Sequence, residues 1–140
     1  MPKSESLTKQ KSIMKKNLRI IISRTDAIGD VVLTLPVAYL LKKFIPDCSV
    51  IFLARSYTKA VVDSCIYVDE FANWDETSDI DPVVFLKNLN ADAIIHIFPE
   101  KSVVKAAFKA KIPLRIGTSH RIYNIFRCNH LVNFTRKKSS

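Results

Sequence analysis

The sequence predicts an α/β domain: a parallel sheet with flanking helices. Two observations carry this. Apolar runs of strand length, rich in β-branched residues, recur along the chain, and segments with helical spacing separate them. The runs are apolar throughout, as strands buried on both faces of a parallel sheet are.

Leu18–Ser23 is the first buried strand. After a loop comes a helix from Asp30 to Phe44, with Lys42 and Lys43 in its last turn, where cations are favoured. Pro36 predicts either a kink there or the start of the helix's main segment, because proline lacks an N–H. Pro46-Asp47 makes a turn and Ser49–Ala54 a second buried strand. A short helix over Tyr57–Cys65 precedes a weaker strand around Glu70–Asn73. Asp81-Pro82 starts a helix that runs to about Leu89, and Asp92–Phe98 is another buried strand. Ser102–Lys109 is helical, Leu114–Gly117 a short strand, Ile122–Cys128 a last helix and Leu131-Val132 a strand stub. This alternation implies right-handed βαβ units, hence a Rossmann-like sheet over residues 18–140.

A chain of 140 residues is one domain by length. No run reaches the ~18 apolar residues of a membrane span. Residues 1–17 are lysine-rich, lack the apolar core of a secretory signal and are expected to form a disordered basic tail. The odd set of three cysteines, Cys48, Cys65 and Cys128, suggests neither a disulfide framework nor a zinc site and fits a reducing cytosol.

The net charge of +9 is unevenly spread. Residues 63–100 hold nine acids and one lysine, whereas residues 101–140 hold ten Lys or Arg and no acid. One end of the domain should therefore attract polyanions: nucleic acid, anionic lipid or a phosphorylated glycolipid. The basic segment lacks a nucleic-acid recognition motif and has only Tyr123 and Phe126 as stacking aromatics, so nucleic acid is not expected as a partner.

Ligands of such sheets gather outside the carboxyl ends of the strands, where the loop Arg24–Gly29 lies. With Gly29 and Gly117 as its only glycines, the sequence holds no dinucleotide fingerprint and no P-loop. Gly29 is expected to let backbone pass close to a ligand or to supply an unusual dihedral. Taken alone, Asp30 fits a helix N-cap and Asp26 a turn residue.

The run Arg24-Thr-Asp-Ala-Ile-Gly-Asp-Val-Val-Leu-Thr-Leu-Pro36 resembles the N-terminal signature of family 9 glycosyltransferases, the heptosyltransferase family. Pro46-Asp47, Arg115-Ile-Gly-Thr-Ser119 and Asn129-His-Leu-Val-Asn133 add matches in the expected order. The resemblance implies the N-terminal, acceptor-binding half of a two-lobed GT-B enzyme. It implies inverting, metal-independent transfer of a heptose-like sugar to a lipopolysaccharide core or related glycolipid.

The family's catalytic aspartate falls on Asp30, which would take the proton of the acceptor hydroxyl as general base. Arg24, Gly29, Thr34, Arg115 and Arg121 are the candidate substrate-binding residues; Arg24 has a surface ion pair as its plain alternative, and Thr34 a capping role. His120 and His130 read as structural or solvated, and His96 as a hydrogen-bonded core residue. Phe44, Phe52, Phe85 and Phe98 read as core. No cofactor is expected beyond the nucleotide-sugar co-substrate, ADP-heptose, whose binding lobe has no counterpart in this sequence. The resemblance places the protein in the cytoplasm, with peripheral contact at the inner membrane. The alternative is a non-catalytic lobe of a truncated or split enzyme that binds anionic glycolipid.

Overall fold

The computed structural model describes residues 17–118 and the backbone of residues 130–132. The expected tail is outside this range except for Asn17, as is the expected helix Ile122–Cys128. Six strands form one sheet: β1 (Arg19–Ser23), β2 (Ser49–Ala54), β3 (Glu70–Asn73), β4 (Ala93–His96), β5 (Leu114–Thr118) and β6 (His130–Val132). Their order is β3-β2-β1-β4-β5-β6, and every neighbouring pair is parallel. The α/β class and the Rossmann-like parallel sheet are as predicted.

Four α-helices connect the described strands: α1 (Ile28–Phe44), α2 (Lys59–Asp63), α3 (Pro82–Asn88) and α4 (Lys101–Lys109). Alternate residues of each central strand enter opposite cores. Ile20, Ile22, Val50 and Phe52 pack with Val31, Ala38 and Val62 of α1 and α2. Ile21, Ile51, Leu53 and Ile94 pack with Phe85, Leu86, Val103 and Ala107 of α3 and α4. Phe52 and Phe85 are core residues, as expected.

Local chemistry sets the helix starts. At α3, the Asp81 carboxylate accepts hydrogen bonds from the Val83 and Val84 N–H groups, and Pro82 occupies the first turn where its missing N–H costs nothing. At α1 the expectation needs correcting. The helix begins at Ile28, its N-cap is Ala27, and no side chain caps it. Asp30 thus lies within the first turn and is not the N-cap. Pro36 falls in mid-helix on an exposed position, so it does not open the main segment. Polar residues 75–78 hide a 3-10 segment, Trp74–Ser78, whose Trp74 is buried edge-on against Phe85 with ring centroids 6.0 Å apart.

Strand order reverses between β1 and β4, since β1 continues toward β2 and β3 while β4 continues toward β5 and β6. A crevice opens outside the carboxyl ends at such a switch point. The loop after β1 borders it.

A candidate acceptor cleft at the carboxyl ends of β1, β2 and β4

The crevice is present as a cleft of about 560 Å³ lined by Thr25 and Asp26 after β1, Arg55 after β2, and Phe98, Pro99, Glu100 and Lys101 after β4. Main-chain hydrogen bonds hold these three segments in register. The Arg24 N–H donates to the Leu53 carbonyl at 3.0 Å and the Ile97 N–H to the Ser23 carbonyl at 3.2 Å, so the ladder continues past the strands.

Arg24 organises the β1 loop. Its guanidinium donates to both Asp26 carboxylate oxygens, at 2.8 and 3.3 Å, and approaches Asp30 Oδ2 at 3.4 Å. The same group lies 5.0 Å from the centroid of the Phe98 ring. Its side chain is 15% exposed, against 45% for Asp30. Arg24 is therefore a part-buried brace, and the Asp30 carboxylate is the more exposed end of the pair. Such half-exposed ion pairs stabilise a fold by only about 0–1 kcal/mol each. Their consequence here is orientation.

Gly29 lies beside Asp30 in the first turn of α1. A methyl group built there would meet no atom within 4 Å. No glycine among the described residues has positive φ, so the expected unusual dihedral is absent. The protein itself has no steric need for glycine at this position. Its bareness leaves open ground next to the Asp30 carboxylate.

Thr34 is buried, and its hydroxyl donates to the Asp30 main-chain carbonyl at 2.8 Å. This bond to the preceding turn ties Thr34 to the helix, and Thr34 does not line the cleft. Arg115 is also set apart. It pairs in register with Ile94, two residues before the end of β4, donates to the Ile112 carbonyl at 2.7 Å and lies 5.4 Å from the Phe108 ring centroid. Arg121 lies outside the described residues, as do His120 and the side chain of His130.

Apart from Phe98, the opposite wall consists of residues that the sequence does not single out. Arg55 forms an ion pair with Asp75 at 3.1 Å and another with Glu100 at 3.7 Å, and its Nε donates to the Thr25 carbonyl at 3.3 Å. The Thr25 hydroxyl donates to Glu100, and the Tyr57 hydroxyl to the Asp26 carbonyl at 3.1 Å. Hydrogen bonds from the Ser56 hydroxyl and N–H, together with Arg55, hold the Asp75 carboxyl below its ordinary range. Phe98 is 43% exposed and faces the cleft, contrary to the core position expected of it. A signal for this wall was in the sequence: Arg55 directly follows β2, and Phe98-Pro99-Glu100 closely follow β4.

His96, at the carboxyl end of β4, is in the core as expected but is not hydrogen-bonded: both ring nitrogens are buried without a partner. Burial, reinforced by the positive charge of Arg115, pushes its pKa down to about 4.

The parallel sheet and the cleft at its switch point define an α/β lobe of the kind that binds ligands at its carboxyl edge. No protein-family model matches the sequence, and no curated protein matches it. Solved structures do match. A family 9 glycosyl transferase from Veillonella parvula DSM 2008 shares 21% identity at a TM-score of 0.69 over 85% of this chain and 37% of its own. The E. coli heptosyltransferase WaaC with ADP gives 16% identity and a TM-score of 0.68, covering 83% of this chain and 41% of its own. E. coli ADP-heptose lps heptosyltransferase II gives 13% and 0.72, covering 86% and 36%. The chain therefore has a glycosyltransferase-like fold and spans about two fifths of the length of these structures.

Proposed function

We propose that residues 18–140 are the acceptor lobe of a heptosyltransferase-type enzyme, with Asp30 as the general base of inverting, metal-independent sugar transfer. The observation that carries this reading is the Asp30 carboxylate, half exposed in the first turn of α1, braced by Arg24 and flanked by the open ground at Gly29. A sugar hydroxyl delivered there loses its proton to the carboxylate as its oxygen attacks the anomeric carbon of the donor. Arg24 positions the base. Arg55 and Lys101 offer cations to a phosphate or carboxylate of the acceptor, Phe98 offers a ring face, and Arg121 adds a cation from the basic segment.

The acceptor in this reading is a lipopolysaccharide core or related glycolipid, and the donor is ADP-heptose, bound by a second lobe. Two of the similar structures support that donor class, being an enzyme with ADP and an ADP-heptose transferase. No other cofactor has a part in the scheme, and the setting is the cytoplasmic side of the inner membrane. A second reading, a lobe that binds anionic glycolipid without chemistry, draws on the net charge of +9 and the acid-free basic stretch of residues 101–140.

The test is sugar transfer from ADP-heptose to a lipopolysaccharide-core acceptor, assayed with a donor-lobe polypeptide supplied. Asp30→Asn is expected to keep acceptor binding and to lower transfer by about 10³-fold. Transfer by the folded variant at the parent rate would exclude Asp30 as the base. Acceptor binding with no transfer by the parent would favour the second reading.

A further inference from the structure

A chain of three charges, Asp75–Arg55–Glu100, runs along the cleft, and its two ends are built differently. At the Asp75 end the contacts are closed. Arg55 Nη1 donates to Asp75 Oδ1 at 3.1 Å, and the Ser56 hydroxyl and N–H donate to Oδ2 at 2.7 and 2.9 Å. At the Glu100 end the pair is loose: Arg55 Nη2 lies 3.7 Å from Glu100 Oε2, beyond hydrogen-bond length. Other groups anchor Glu100. The Thr25 hydroxyl donates to its Oε1, and the Ser102 hydroxyl to its Oε2 at 2.9 Å. Arg55 is anchored as well, by Nη1 on Asp75 and by Nε on the Thr25 carbonyl at 3.3 Å. Nη2 is thus the one guanidinium nitrogen of Arg55 without a hydrogen bond among the described residues. Arg55 and Glu100 both line the cleft, and their side chains are 34% and 38% exposed, so a ligand can reach them.

We infer that Arg55 and Glu100 act together as a charge filter on the acceptor. Arg55 Nη2 takes a singly charged oxyanion, the carboxylate of a sugar acid, and Glu100 disfavours a doubly charged phosphate monoester. The inference rests on the proposed function and narrows the acceptor's anionic group to one class. An anion that hydrogen-bonds Nη2 comes within about 6 Å of the Glu100 carboxylate, where like charges repel. Glu100 does not swing aside without giving up the hydrogen bonds from Thr25 and Ser102. The repulsion scales with the charge of the ligand. A carboxylate carries one negative charge at neutral pH, whereas a phosphate monoester carries about 1.5–2. The local cations are already offset. Arg55 faces two carboxylates and Lys101 adds one positive charge, so these four side chains are neutral together. Asp26, the remaining carboxylate of the cleft, is paired with Arg24. A phosphate monoester is suited by a surplus of cations, and this cluster has none. An unfavourable contact with the wrong ligand is a means of specificity, and Glu100 supplies one.

The full chain is titrated with glucuronate and with glucose 6-phosphate at constant ionic strength, and amide shifts at Thr25, Arg55 and Glu100 are followed. Glucuronate is expected to saturate them at about fivefold lower concentration than glucose 6-phosphate. Glu100→Gln keeps the hydrogen-bonding groups and removes the charge. It should strengthen glucose 6-phosphate binding by about tenfold and glucuronate binding by about threefold, which narrows or abolishes the preference. Glu100→Asp retains the charge and should retain the preference, which a merely structural role for Glu100 does not predict. Arg55→Gln should remove saturable shifts from both probes. A parent that prefers the phosphate, or that shows no saturable shift with either probe, would overturn the inference without recourse to any variant. So would an unchanged preference in Glu100→Gln. A deacylated core saccharide separates this inference from the acceptor site itself. Its saturable binding at the cleft, with no carboxylate preference between the two probes, removes the charge filter alone. Absence of that binding removes the acceptor site, and the filter with it.

Discussion

Helices α1 and α4 flank the same sheet on opposite faces and finish in opposite ways. In α4, Val103, Val104, Ala106 and Ala107 are buried while Lys101, Lys105 and Lys109 face solvent. Its one large exposed apolar side chain, Phe108, lies under the Arg115 guanidinium. Helix α1 buries Val31, Thr34 and Ala38, yet its outer side is as apolar as its inner one. Burial is thus complete at α4 within the described chain and incomplete at α1. The helix whose burial is incomplete is also the one that carries Asp30 in its first turn. The difference teaches that the outer side of α1 is adapted to a neighbour, and the outer side of α4 to water.

The largest effect expected from this contrast is on stability. Ala107→Asp places an unpaired charge in the α4 core and should cost about 3–5 kcal/mol in urea unfolding. Leu40→Glu, on the exposed side of α1, should change stability by no more than about 0.5 kcal/mol. Similar losses for the two would mean that the α1 face is covered within the folded chain itself.

A smaller effect comes from His96, beneath the sheet face that α4 covers. Its folded pKa lies near 4 and its ordinary value near 6.5. Between these values the unfolded chain binds a proton that the folded chain does not, so stability is full above about pH 6.5 and falls as the pH drops toward 4. The slope for one such group is at most about 1.4 kcal/mol per pH unit. His96→Leu should flatten the dependence of Tm on pH across this window. An unchanged profile would place the titration elsewhere.

The smallest effect concerns Gly29. Alanine there meets no neighbour and has the better helix propensity, so Gly29→Ala should stabilise the chain by about 0.5–1 kcal/mol. It should also weaken acceptor binding if the open ground is used. Unaltered saccharide affinity would show that the acceptor does not approach Gly29.

Much of this molecule could be read from sequence, for definable reasons. Strands β2 and β3 fall at the predicted residues, β2 because an apolar run that follows a turn signal marks its own ends. Asp81-Pro82 announced α3 because its cap is a side chain. The start of α1 was misplaced because Ala27 supplies no capping side chain, which left Asp30 as the nearest plausible cap. Phe44 and Phe98 were read as core because periodicity identifies an apolar face without identifying what covers it. In the site, Arg24 and Asp30 lie six residues apart and were legible together. Arg55 and Glu100 join them only because β2 and β4 both lie beside β1 in the sheet, a spatial adjacency that no local pattern encodes. Arg115 was grouped with the site by its place in the basic segment, whereas register sets it beside Ile94 and turns it toward Phe108.

The central claim is that the acceptor binds at the carboxyl edge of β1 and β4. It is tested most directly by an amide chemical-shift titration of the full chain with a deacylated lipopolysaccharide-core saccharide. The account predicts saturable shifts clustered at Thr25, Asp26, Gly29, Asp30, Arg55 and Glu100. Shifts confined to the lysine side of α4, at Lys105 and Lys109, or no saturable shift at the cleft, would contradict it.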